Sequence, residues 1–199
     1  MTKLYDVRNS DAYRRLRDTE QIARHIFVNQ PNLVPGLLQV PAYSLEVICR
    51  MQGLAADDPE AAALEAIRDK RRTTFAERLR GAEAPHVTAV IDESVLQRAV
   101  AGSAAAHQQV RHLHEMSMLE TVHLGIIPMS HGPHPGLVGG FEVHVAPDGT
   151  IVFFEDAEGD RILDDDRPRI QLYRETVEAL MTVAASGDDA RALLKRLGG

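Results

Sequence analysis

Apolar residues in the first eighty positions recur at three- and four-residue intervals, and beyond His86 the repeat shortens to two. The spacing of Tyr13, Leu16, Ile22, Ala23, Ile26 and Phe27 predicts an amphipathic helix from Asp11 to Val28, ended by Asn29, Pro31 and Asn32. After "NLVPGLLQV", Pro41 opens a second helix, "PAYSLEVICRMQGL". A third, "EAAALEAIRDKRRTTFAERLRG", follows Pro59, with Asp57 or Asp58 as its cap and Leu64, Ile67, Phe75 and Leu79 as its apolar stripe.

From His86 the run "HVTAVID" reads as a buried strand, and "TVHLGIIPM" as another. Between them "ESVLQRAVAGSAAAHQQVRHLHEMSML" reads as one helix or as two joined near Gly102. The segment "SHGPHPGLVGG" is a loop, since proline and glycine make up six of its eleven residues. "FEVHVAP" alternates like a strand with one wet face, and Asp148 and Gly149 turn it back into "TIVFFED". "DRILDDD" is a short edge strand or a lead into the last helices, "RPRIQLYRETVEALMTVAAS" and "DDARALLKRL".

This order predicts an α+β (mixed α/β) class: N-terminal helices on a small mixed sheet of three to five strands, closed by C-terminal helices. One domain over 1–199 is expected, helical over 1–84 and strand-helix-strand-hairpin-helix over 85–199. "HVTAVID" and "TVHLGIIP", joined through helix, should pair in parallel.

Composition adds few constraints. At 44% hydrophobic and 26% charged residues the chain has ordinary folded-protein usage, with an aliphatic core because there is no Trp. The net charge of -7 works against long-range attraction to DNA or an anionic membrane. No apolar run is long enough to span a bilayer and no signal-peptide core opens the chain, so a cytoplasmic protein is expected. Cys49 is the sole cysteine and has no internal disulfide partner.

Candidate chemistry is sparse. Arg68, Lys70, Arg71, Arg72, Arg78 and Arg80 form either a solvated helix face or a patch whose guanidiniums fork onto phosphate or carboxylate oxygens. Glu93 and Glu155 stand at strand ends near the loop that carries His131, a set suited to acid-base chemistry if burial shifts one carboxyl. Equally, Asp92 caps a helix and Glu93 complements its dipole. His131 and His134, with His123 and His144 on flanking strands, lack a paired-cysteine or H-E-x-x-H pattern, so no metal is expected; nor is a cofactor, since P-loop, dinucleotide and G-x-S-x-G motifs do not occur.

The succession of Pro35 to Gln39 with Tyr43, Arg68 with Arg71 and Arg72, Ile91 to Val100, Gln109 to Leu113, Ile127 with Pro128, Gly140 with Phe141, and Phe154 with Glu155 resembles one known family. It is similar to the effector-like domain of actinobacterial Scr-type antitoxin-like transcriptional regulators, from about Arg17 to the C-terminus. In that family the domain follows a DNA-binding helix-turn-helix. Only some twenty residues precede the matching region here, so the expectation is a stand-alone regulatory domain that does not bind DNA by itself. The resemblance implies a small-molecule ligand or a partner protein, a homodimer or a mixed oligomer with full-length relatives among them. Gln39, Tyr43, Arg68, Arg71, Arg72 and His134 are the expected ligand-binding residues. The alternative is a small biosynthetic enzyme with Glu93, Glu155, His131 and the arginines around one pocket.

Overall fold

The computed structural model describes residues 11–100, 104–156 and 159–198. In chain order these form α1 (Asp11–Glu20), β1 (His25–Gln30), α2 (Pro41–Gln52), α3 (Pro59–Leu79), β2 (His86–Asp92), α4 (Glu93–Val100), α5 (Ala104–Met116), β3 (Val122–Ile127), β4 (Phe141–Ala146), β5 (Gly149–Asp156), β6 (Gly159–Leu163), α6 (Arg167–Val183), β7 (Ala185–Ser186) and α7 (Gly187–Gly198). The class is α+β, with a mixed sheet in the order β6-β5-β4-β1-β2-β3-β7.

Seven strands stand where three to five are expected, and the main departure is at β1. The helix from Asp11 stops at Glu20, and His25–Gln30 runs through the middle of the sheet, parallel to β2 and antiparallel to β4. Ile26, Phe27, Val28 and Asn29 are all buried, because β1 is covered on both faces. Such a strand shows no alternation, and its adjacent apolar residues also satisfy a helical stripe. The remaining additions are short: β6, foreseen as an edge, and the two-residue β7 beside β3.

Other expectations are met. β2 and β3 pair in parallel, in register from Val87 with Val122 to Asp92 with Ile127. β4 and β5 form the hairpin around Asp148 and Gly149. Asp58, Asp92 and Asp166 each accept a backbone N–H at a helix start, from Glu60, Ser94 and Arg169. The junction near Gly102 lies outside the described residues.

One sheet face, carrying Ile26, Val28, Ala89, Ile91, Leu124 and Ile126, packs against α2, α3, α4, α5 and α7 in the largest core. The other face, carrying Phe27, Val90, Val143 and Val152, packs on α6. α1 lies over β5 and β6 through Tyr13, Leu16, Phe153 and Ile162. The carboxyl ends of β1, β2 and β3 meet the start of β4 and the end of β5 along one rim of the sheet. Ligands of open α/β sheets gather at that rim.

Candidate functional site

The cationic stretch of α3 is mostly not a solvated face. Arg71 turns inward and donates from Nε to Glu20 on α1 at 2.7 Å and from Nη2 to Glu142 on β4 at 2.9 Å. His144 Nε2 lies 2.9 Å from the same Glu142 oxygen, which fixes Nε2 as the protonated nitrogen beside an ionised carboxylate. The Nδ1 of His144 is buried without a hydrogen-bond partner. Arg78 donates to the backbone oxygens of Glu20 and Ala23 and so pins the link from α1 into β1. Arg72 faces Glu65 and Asp69 on its own helix.

Burial works to raise the Glu142 carboxyl, but Arg71 and the His144 hydrogen bond outweigh it and hold the group down at about 2. For Glu20 burial prevails over Arg71 and His144, and its carboxyl is raised. Burial works to lower Arg71, and the Glu20 and Glu142 charges overcome it, so the guanidinium stays charged. Of the two carboxylates, Glu20 therefore takes up a proton first as the pH falls. Glu142 contributes stability that is fully present above its ordinary 4.5 and is lost as pH falls through about 2. Glu20 has the opposite sign, since its ionised form is penalised in the fold at higher pH. Urea unfolding followed from about pH 5 to about pH 2.5 should lose stability more steeply in the wild type than in Glu142→Gln, where the Glu142 contribution is gone and the opposing one of Glu20 remains. An unchanged slope would count against this assignment.

Beside the network opens a crevice with about 50 Å³ of room, lined among others by Gln30, Gln39, Arg68, Arg71, Glu142 and Glu155. Gln30 ends β1, Glu142 starts β4 and Glu155 lies near the end of β5, so the crevice sits at the rim of the sheet. Arg68 stands 4.0 Å from Glu155 in a loose ion pair. Gln39 enters from the "PGLLQ" segment; its Nε2 donates to Val34 O at 2.8 Å while its buried Oε1 has no partner. That segment is held by Gln109 of α5, which is fully buried and bonds Val40 N and Leu38 O, each at 2.7 Å.

Of the residues singled out from sequence, Gln39, Arg68, Arg71 and Glu155 come together in this crevice. Arg72 points to a neighbouring groove between α3 and α5, which Gln39 also lines. Tyr43 lies in the main core. Glu93 and His131 do not line the crevice with Glu155, so the pocket that the enzymatic alternative requires is not assembled. Glu93 instead accepts Met129 N at 2.9 Å, and His134 sits 3.2 Å from Asp92. With Asn29 Nδ2, which donates to Gly136 O and Gly139 O at 2.9 Å, these groups tie the glycine-rich loop down. Gly136 is required there, because a Cβ would lie 2.6 Å from the Asn29 amide oxygen. His131 is exposed on the turn that follows β3.

Glu20, Glu142 and His144 are the group of possible metal ligands within 4.8 Å of one another among the described residues. The Arg71 guanidinium already bridges the two carboxylates and supplies the cation. The network escaped sequence reading because Glu142 and His144 alternate with Phe141, Val143 and Val145, a pattern that reads as a solvent face. The available signal was charge complementarity, with an acidic residue closing α1 and inward arginines on α3.

This architecture defines an α+β domain with a charged, buried network joining its first helix, its longest helix and its sheet. Residues 13–196 match the family model of DUF5753, a domain of unknown function, and the chain belongs to that family. Among curated proteins and solved structures, none matches the chain. No helix among the described residues is long and apolar enough to cross a membrane.

Proposed function

We infer that the chain is a cytoplasmic regulatory binding domain, related to the effector-like domain of actinobacterial Scr-type antitoxin-like regulators, that receives a ligand or a partner protein at the crevice. The observation carrying this reading is that Arg71 belongs to both the crevice and the clamp on α1. A carboxylate or phosphate group entering beside Arg68 would draw on the same guanidinium that holds Glu20, so occupancy changes how firmly α1 is seated. The crevice has room for a polar head group or a protruding side chain. At a net charge of -7 the chain is not itself drawn to DNA, and its output passes through another segment or chain, a second copy or a full-length relative included.

The test is thermal unfolding of the purified chain against fractionated cell metabolites and against proteins encoded beside it. A ligand at about a hundred times its Kd stabilises by about 2.7 kcal/mol and raises Tm by several degrees. Arg68→Met, outside the clamp, should abolish that rise while leaving the unliganded Tm nearly unchanged. If no fraction and no neighbouring protein shifts the wild type, the regulatory reading fails.

A further inference from the structure

We propose that the ligand of the crevice is a free α-amino acid with a short aliphatic side chain, its carboxylate on Arg68, its ammonium on Glu155 and its side chain in an adjoining slot between α2 and α3. The assignment rests on the crevice being the receiving site and adds the chemical class of what it receives.

Crevice and slot share the walls Leu33 and Arg68. The crevice has about 50 Å³ of room, enough for about four water-sized groups, which is the scale of a carboxylate and an ammonium on one carbon. The slot has about 20 Å³, enough for about one or two such groups, and Val47, Ile48, Leu64 and Ile67 give it aliphatic walls. It therefore suits a branched aliphatic end and shuts out an aromatic ring.

Charge sets the head group. Among the described residues the charged walls of the crevice are Arg68, Arg71, Glu142 and Glu155, two of each sign. Arg71 and Glu142 answer each other, with Glu20 and His144 behind them, and their side chains are only 10% and 11% exposed. Arg68 and Glu155 are more open, at 21% and 30%, and their 4.0 Å separation is too long for a hydrogen bond between them. A simple anion in the crevice would face Glu142 and Glu155, and a simple cation would face Arg68 and Arg71. A zwitterion adds no net charge and brings each member of the open pair its counterpart. Its carboxylate forks onto the Arg68 guanidinium, and its ammonium donates to the Glu155 carboxylate.

The probes are L-leucine, 4-methylpentanoate, which lacks the ammonium, 3-methylbutylamine, which lacks the carboxylate, and L-tryptophan, whose side chain exceeds the slot. Their binding to the full chain is read by amide chemical-shift titration. Leucine should saturate, shift amides around Leu33 and Arg68, and bind about tenfold more tightly than any of the others. Glu155→Gln should bring leucine down to the affinity of 4-methylpentanoate, and Arg68→Met should bring it down to that of 3-methylbutylamine. Parity of leucine with 4-methylpentanoate would overturn the amino-acid assignment while leaving an anion-receiving crevice in place. A chain stabilised by a cell fraction yet indifferent to leucine would do the same. Parity with 3-methylbutylamine, tryptophan binding as tightly as leucine, or shifts confined to other surfaces would equally overturn it. A chain that responds to no fraction, no neighbouring protein and no probe fails the regulatory reading as well.

Discussion

Replacing Arg71 by Met is expected to destabilise the domain by about 3–5 kcal/mol, the cost of stranding buried carboxylates without their cation. Both carboxylates are close to fully buried, at 5% exposure for Glu20 and 9% for Glu142, so water cannot take over the role of the guanidinium. Only His144 would remain beside Glu142. Arg71→Lys should recover part of the loss, because an ammonium is a point charge and cannot fork from Glu20 to Glu142 as the planar guanidinium does. Adding Glu20→Gln and Glu142→Gln to Arg71→Met should restore more than half of it by removing the stranded charges. Urea unfolding measures all of these, and hydrogen exchange in α1 should rise first, since α1 loses its anchor at Glu20. A loss below about 1 kcal/mol for Arg71→Met would mean that the network is hydrated and does not hold the helix.

The same residues show how far the chain could be read without coordinates. Helices with solvent on one side carried their period openly: α3 keeps Leu64 and Phe75 inward, and its cap at Asp58 was visible as an aspartate before proline. The β4–β5 hairpin was visible because Asp148 and Gly149 leave few other local options. β1 was hidden by its own burial, since a central strand has no polar face to set its period. The crevice was half legible. "PGLLQ" and the arginines of α3 stand out as a motif and a charge run, but the partners of Arg71, Glu20 and Glu142, lie 51 and 71 positions away from it. Pairing over such distances is set by which helix covers which strand, and local spacing carries no record of it. Glu93 and His131 are ambiguous in the sequence for a related reason. Strand ends and loops attract catalytic residues and capping residues alike, and here Glu93 is bonded to the loop backbone.

Gln109→Leu should cost about 2–5 kcal/mol although it changes no charge and little volume, because it orphans two buried backbone groups at about 1–3 kcal/mol each. Gln109 is fully buried in α5, and its amide is the partner of Val40 N and Leu38 O. These two groups belong to the bend between β1 and α2, where the chain forms a short 3-10 turn at Gly36–Leu38 and then a proline-led helix. The bend makes no ladder with the sheet, so a side-chain amide with one donor and one acceptor stands in for a neighbouring strand. Gln108→Leu, one position away and exposed, should stay within about 0.5 kcal/mol and serves as the control. The effect should also reach function, since Gln39 lies within the clamped segment and lines the crevice. Loosening the bend should therefore speed exchange of the Val40 amide and weaken binding at the crevice. Loss of stability with ligand affinity intact would separate the scaffold from the site and show that Gln39 keeps its place by its own bond to Val34.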